Sequence, residues 1–587
     1  MPALLATEQK VFSSRAAIVL VCMIIVICVL GIFGRDLWTP DEPRVAAISL
    51  EMSRDGNLVI PHLASQPFLE KPPLYFAVAA NLIKSLGEVI GTTPAIRLTT
   101  TLFGLGTLLA FFLLARTLYN QRNAITALVV FGTMSGFVEA SHWIRVDAAL
   151  LFFVVACLWS LVEAYRKEHW LTLLPAGILA AGAFLSKGPI GPLLIFIPWC
   201  GLFYTHFQRR RPVDGASRGV VIAAHLAGLG IFIFGVGAWV WLLRHNGSPE
   251  LWHEWFYVNQ IGRLTGAAAG KGHLRRGQPW YYLVSLALYS LPWLPLLPVW
   301  GKRRWKDFRR TKKLEERDLF LLVWGVGMLV FLTLPATKRG IYFYPALPAF
   351  ALMAARVLEE KIPNWFTGLA TAWTAVCAFV MFIITLLPAF AGLIEGPLPE
   401  SAGVQLGRLE SGNLIAIPAI GLALILLIRR RRIDPVFRFA LASALLLVTV
   451  FCGPVGIINQ VKSMRSEMEE FTARIPRIQR PRIAGCNFSE TALANFYYYC
   501  DWSVPQIHDK ARLEKILQHR DQDFDSLIIN RTHSLAKLLP LPYHVLAVGN
   551  PRHSRKNRRK LFWVAGGAEI KPPDSGRNVV PGSESSE

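Results

Sequence analysis

Two short stretches near the N-terminus combine charged side chains with helix-start signals. The first reads Arg35-Asp-Leu-Trp-Thr-Pro-Asp-Glu-Pro-Arg44 and runs into Val45-Ala-Ala-Ile-Ser-Leu-Glu-Met52. Thr39 and Glu42 stand at capping-box spacing with Pro40 at the first helical position, which predicts a helix from about Pro40 to Arg54. Val45, Ile48 and Met52 make one apolar stripe, so this helix is expected to lie at a membrane interface. Glu42 is used by the box. Asp41 is not, which makes it the freer carboxylate for catalysis; its alternative role is a first-turn acid favoured by the helix dipole. The second stretch, Gln66-Pro-Phe-Leu-Glu-Lys-Pro-Pro-Leu-Tyr75, leads into an apolar helix expected from about Pro73 to Leu86. A lysine at a helix start adds its charge to the free N–H groups and the dipole, which is the makeup of an anion site. Lys71 serves equally well as a snorkelling interfacial lysine paired with Glu70.

The elements that must position these residues are set by composition. Of 587 residues 53% are hydrophobic and 17% charged, against about 25% charged in soluble domains, so a soluble enzyme and a disordered chain are both poor readings. About 20 apolar residues span a bilayer, and such runs occur near 16–33, 96–115, 124–140, 148–164, 171–185, 189–207, 219–243, 281–300, 318–335, 341–358, 366–390, 412–428 and 435–458. The expected fold is a polytopic α-helical membrane protein of about thirteen spans. Lys and Arg crowd the loops that follow even-numbered spans, as in Arg209-Arg210-Arg211, Lys302 to Arg317 and Arg429 to Arg432. The positive-inside rule then puts the N-terminus in the cytoplasm and the C-terminus outside. The excess of 62 Lys+Arg over 39 Asp+Glu is largely this topology signal, and it leaves no case for nucleic acid.

Three outward segments exceed what a connection needs: 34–95, 244–280 and 391–411, the last reading as a linker. Residues 1–460 are thus expected to form the membrane body. Residues 461–570 are expected to form a small α/β domain, with strands at Arg482–Cys486, Asp525–Asn530, Tyr543–Val548 and Leu561–Val564 and helices at Glu490–Tyr499 and Lys510–Gln518. Residues 571–587 are Pro/Gly/Ser/Glu-rich and read as a disordered tail. Six cysteines lie in apolar runs as small hydrophobes; Cys486 and Cys500 could form a disulfide outside the cytoplasm. A transporter would place ionisable residues at mid-membrane depth on discontinuous helices; here the charges gather at the outer ends of the spans. A scaffold would not need acidic and basic residues in two matching external loops.

Asp41-Glu-x-Arg44 after span one, followed by Phe68-Leu-Glu-Lys-Pro-Pro-Leu74, resembles the first external loop of the ArnT/protein O-mannosyltransferase group, GT-C glycosyltransferases that use polyprenyl-phosphate sugars. The likeness is nearest to the 4-amino-4-deoxy-L-arabinose transferases that modify lipid A. It extends to His142-Trp-Ile-Arg145-Val-Asp147, where the group keeps a second acidic residue and where a helix N-cap is the alternative. It also covers Ser186-Lys187-Gly-Pro, Lys338-Arg-Gly-Ile-Tyr342-Phe-Tyr344, and more loosely Asn259-Gln-Ile-Gly-Arg263. Lys187 has a snorkelling lysine as its alternative, and Tyr342 an aromatic-belt ring.

The resemblance implies an inverting transfer of a hexose or pentose from undecaprenyl phosphate or a similar lipid to an envelope acceptor, at the outer face of a bacterial inner membrane. Negative charge builds on the leaving phosphate and must meet cations. Lys71, Arg44, Arg263 and Tyr342 are the expected phosphate ligands, with Asp41 and Asp147 as the catalytic carboxylates and Glu42, Glu70, Lys187 and Lys338 in support. A hydroxyl acceptor would need Asp41 as general base; a phosphate acceptor on lipid A would not. The chemistry requires no cofactor, although Asp41, Glu42, Glu70 and His62 would be the set to hold a divalent metal. Lipid A, another lipid, a polysaccharide and a protein Ser/Thr are all open as acceptors.

Overall fold

The first apolar run becomes the helix Ser14–Val29, opened by the Ser13 hydroxyl, which accepts a hydrogen bond from the N–H of Ala16 at 3.2 Å. The computed structural model describes residues 11–208, 218–262, 278–335, 338–393, 401–453, 458–459, 462–531, 543–549 and 560–566. Arg263, the Arg209-Arg210-Arg211 loop and the 571–587 tail lie outside the described residues. The chain divides into two compact units. One comprises Met1–Leu37, Ile48–His62 and Gln66–Gln460; the other comprises Trp38–Ala47, Leu63–Ser65 and Val461–Glu587.

The larger unit is a polytopic helical membrane protein. Among the described residues seven helices are long and apolar enough to cross a bilayer, or eight if one bent pair counts as a single span. The bent pair is Gln121–Gly132 and Ser135–His142, which meet at 70° where the sequence predicts one continuous span at 124–140. A break frees backbone donors that must be satisfied in an apolar medium. Here the Ser135 N–H donates to the Leu291 carbonyl at 2.9 Å, and the Ser135 hydroxyl donates to that of Leu288 at 2.6 Å. The expected span at 281–300 is likewise divided, into Tyr281–Tyr289 and Leu296–Thr311. Pro292 and Pro295 fall in the interruption, each removing a helix donor. The segment 391–411, expected as a linker, is partly helical, because a helix already runs from Ser401 to Ile428.

Close backbone contact also joins helices of this unit that are not consecutive in sequence. Gly177 and Gly228 face each other so tightly that a Cβ on Gly177 would meet the Gly228 carbonyl oxygen at 2.2 Å, and one on Gly228 would meet that of Leu173 at 2.5 Å. Small residues at such crossings let backbones approach where lipid offers no hydrophobic drive. At the ends carrying the basic loops, Arg304 binds Asp318 at 2.8 Å and Glu360 at 2.7 Å, tying three helices together. Arg304 is therefore more than a charge that sets topology.

The smaller unit contains a four-stranded mixed sheet in the order Ile483–Cys486, Ser526–Arg531, Lys560–Gly566, Tyr543–Gly549. The first pair is parallel, with Ile483 opposite Ser526, and the other two are antiparallel. The helices Glu490–Cys500 and Lys510–Leu517 lie in the crossover between the parallel strands. Alternation divides the side chains between two cores: Leu527 and Ile529 pack with Ile516 and Leu517, while Ile528 packs with Phe471 and Phe496. Cys486 and Cys500 are free thiols, in contrast to the disulfide considered from sequence. They belong to these two different cores, and burial pushes the Cys500 thiol up.

Candidate functional site

The residues singled out in the sequence fall into two groups, one in each unit. Asp41, Glu42 and Arg44 belong to the smaller unit, at the start of the helix Asp41–Asp55. The helix opens one residue later than the capping box requires. The Thr39 hydroxyl and N–H both turn to the Lys462 carbonyl, each at 3.0 Å. Glu42 is fully buried and accepts instead from the N–H of Trp38 at 2.7 Å. Glu42 thus keeps the local duty expected of it with a different partner, because Lys462 competes for Thr39. Asp41 is not the unengaged carboxylate of the sequence reading: it is buried and accepts from the Arg44 guanidinium at 2.7 Å. Arg44 also binds Glu490, so two carboxylates share this cation, and Thr491 donates to the Pro40 carbonyl at 3.2 Å.

The larger unit gathers the second group. The helix Asp147–Lys167 and the helical segment Trp170–Lys187, of 21 and 18 residues, form a hairpin, the second segment opening with the 3-10 turn Trp170–Thr172. With similar rise they bring the N-terminus of the first level with the C-terminus of the second. Asp147 therefore meets Lys187, and each charge also complements its own helix dipole. The two form an ion pair with side chains only 6% and 8% exposed. Asp147 is consequently no N-cap, and Lys187 does not snorkel. The ring of Tyr342, in the 3-10 stretch Gly340–Ala346, covers the Lys187 ammonium with 4.3 Å between nitrogen and ring centre. A desolvated cation on an aromatic face is held by about 2 kcal/mol.

Lys187 and Tyr342 open on a cavity of about 150 Å³. Its polar lining includes Glu70, Lys71, Lys187, Tyr342, Asn259 and Gln260, and its apolar lining includes Leu150, Leu193, Leu194 and Leu332. Lys71 precedes the helix Leu74–Ile90, as its position in the sequence predicts. It lies 3.6 Å from Glu70, longer than a charge-assisted hydrogen bond. Two cations beside an apolar wall suit an anion attached to a hydrocarbon chain. Lys338 donates to the carbonyl of Pro335, a cavity residue, at 2.8 Å. Asn259, Gln260 and Tyr282 are cavity residues that the sequence reading passed over. The first two sit in the string quoted for Arg263, and Tyr282 reads in sequence as one ring of an aromatic belt. Among the described residues no three His, Cys, Asp or Glu side chains converge as metal ligands.

The dolichyl-phosphate-mannose-protein mannosyltransferase family model matches residues 70–241, a stretch that holds Lys71, Asp147 and Lys187. ArnT from Cupriavidus metallidurans in the apo state superposes with a TM-score of 0.68 at 17% identity, covering 94% of this chain and 98% of that one. The chain has the ArnT-like GT-C fold. The same protein bound to undecaprenyl phosphate gives a TM-score of 0.67 at 18% identity. In sequence the chain is 28% identical over 355 residues to the undecaprenyl phosphate-alpha-4-amino-4-deoxy-L-arabinose arabinosyl transferase 2 of Proteus mirabilis, covering 59% of each. It is also 28% identical over 382 residues to the corresponding transferase of Aeromonas salmonicida, covering 61% of this chain and 64% of that one. The matched part thus spans about three-fifths of these relatives' length.

Proposed function

We propose that this protein is an integral-membrane glycosyltransferase that moves a sugar from a polyprenyl-phosphate donor, undecaprenyl phosphate in the first instance, to an acceptor at the outer face of a bacterial inner membrane. The observation that carries the reading is the cavity that joins Lys71, Lys187 and Tyr342 to an apolar wall, with Asp147 bound to Lys187. A lipid phosphate needs both halves. In the reaction an acceptor oxygen attacks the anomeric carbon as the bond from that carbon to the phosphate oxygen breaks. The electron pair leaves with the phosphate, where Lys71 and Lys187 meet the growing charge in a low-dielectric site. Arg263 is a further phosphate ligand in this proposal. Asp147 holds Lys187 in place, and Asp41 orients the acceptor or takes its proton when that acceptor is a hydroxyl.

The arabinosyl transferase names of the relatives favour aminoarabinose as the sugar and lipid A as the acceptor. A hexose delivered to a polysaccharide, another lipid or a protein Ser/Thr is the alternative within the same fold. The proposed topology has thirteen spans. To the long helices and the bent pair it adds the shorter apolar helices Ser14–Val29, Ile190–His206 and Ile415–Ile428, together with the divided segments at 281–300 and 316–333. It puts the N-terminus inside and the α/β unit outside. The test is mass spectrometry of envelope lipids with and without the gene, joined to transfer from purified undecaprenyl-phosphate aminoarabinose. A gene-dependent mass of one aminopentose on lipid A is the expected result. A hexose-sized addition elsewhere would favour the alternative, and no transfer from any polyprenyl-phosphate sugar would overturn the proposal.

A further inference from the structure

The cavity contains an uncharged polar side chain that the reaction described above leaves without a role. Gln260 lies in the π-helical stretch Glu254–Ile261. Such turns are rare and tend to occur at functional sites, and this one presents the adjacent residues Asn259 and Gln260 to the same cavity. The Gln260 side chain lies flat against Gly188, the residue after Lys187. A Cβ on Gly188 would stand 3.1 Å from its Oε1, 3.5 Å from its Cδ and 3.6 Å from its Nε2. Gly188 also has φ +75°, a region that L side chains adopt only with strain. One glycine therefore both turns the chain out of the Lys187 helix and leaves a seat for the carboxamide.

Asn259 donates to the Glu254 carbonyl at 3.2 Å. The Gln260 carboxamide, in contrast, has no hydrogen-bond partner among the described residues. It carries two donors and an oxygen with two lone pairs, and no charge. The phosphate already has Lys71 and Lys187 to meet it. A neutral group that both donates and accepts matches a neutral polyol, whose hydroxyls do the same.

We propose that Gln260, seated on Gly188, binds the hydroxyls of the sugar carried by the lipid donor and is a specificity-determining residue for that sugar. This rests on the polyprenyl-phosphate reading above and assigns the sugar end of the cavity. A site built to hydrogen-bond a hydroxyl loses affinity when its own partner is removed, by about tenfold for a neutral pair.

The test uses the full-length protein in nanodiscs and two probes, undecaprenyl phosphate and undecaprenyl-phosphate aminoarabinose. Gln260→Leu is expected to raise KM and Kd for the sugar-bearing lipid about tenfold while leaving Kd for bare undecaprenyl phosphate unchanged. Gly188→Ala, which displaces the carboxamide, is expected to do the same, and Gln260→Asn to lie between wild type and Gln260→Leu. Equal loss for both lipids would make Gln260 a phosphate ligand and overturn the proposal, as would no loss for either. Should Gln260→Leu fail to fold, the Gln260→Asn ratio of the two affinities decides, and an unchanged ratio overturns it. Wild-type protein that binds bare undecaprenyl phosphate no better than a neutral lipid would instead overturn the donor reading beneath it.

Discussion

At the scale of residues, charges that look alike in sequence have different attachments. Lys71 is a half-buried cation 3.6 Å from its acid. Lys71→Ala is expected to cost under about 1 kcal/mol of stability, but to lower kcat/KM for a polyprenyl-phosphate sugar about 10- to 100-fold through a lost charge-assisted contact. Lys71→Arg should keep part of the activity, since charge stays while geometry changes. Unchanged turnover in folded Lys71→Ala would remove the residue from the site. Asp41 and Glu42 separate on other grounds. Asp41→Asn removes one partner of a buried ion pair, so it is expected to lose about 1–3 kcal/mol of stability along with transfer activity. Glu42→Gln keeps an acceptor for the Trp38 N–H and is expected to retain activity with a loss within about 1 kcal/mol. Thermal unfolding and transfer measured on the same preparations check both, and the reverse order of activities would exchange the two roles. The local chemistry of Lys71 was legible in its own tetrapeptide. That of Asp41 was not, because its partner Arg44 is shared with Glu490, 446 positions further on.

At the scale of elements, period and length carried most of the information. The helix Leu74–Ile90 and the strands and helices of the α/β unit lie where apolar pattern and turn residues predict them. What the pattern could not show was the break between Gly132 and Ser135, because a run without proline reads the same whether its helix is straight or bent by 70°. Only the partner that takes the freed donor, such as the Leu291 carbonyl for Ser135, makes a break tolerable, and that partner is distant in sequence. The Asp147–Lys187 pair is of the same kind, since it requires that the hairpin fold the segment Trp170–Lys187 back along the helix Asp147–Lys167. The Gly177–Gly228 crossing holds the second of them against the helix Arg218–Asn246. Gly228→Ala is accordingly expected to destabilise the protein by about 1–3 kcal/mol through overpacking against backbone that cannot yield. A lower unfolding temperature in detergent is the readout, and an unchanged one would show that the crossing can open freely.

At the scale of the whole molecule, the loop after the first helix and the C-terminal region share a folding unit: Trp38–Ala47 and Leu63–Ser65 belong with Val461–Glu587. The Ser65 hydroxyl lies 3.1 Å from that of Ser503. Cysteines placed at Ser65 and at Ser489 are therefore expected to react with an impermeant thiol reagent from the same side of the membrane, and the outside is the side proposed. Labelling from opposite sides would contradict the unit itself, and labelling of both from the cytoplasm would invert the proposed topology.

That shared unit also sets an order of events during synthesis. The partners of Thr39, Pro40 and Arg44 are Lys462, Thr491 and Glu490, so the carboxylate end of the first loop emerges from the ribosome long before the residues that lock it. At about 5–20 residues per second, a separation of 446 residues corresponds to a delay of about 20–90 s. Through that interval the start of the Asp41–Asp55 helix lacks these three contacts. A chain that stalls before residue 461 keeps Asp41 beside an Arg44 that has no Glu490 to share it.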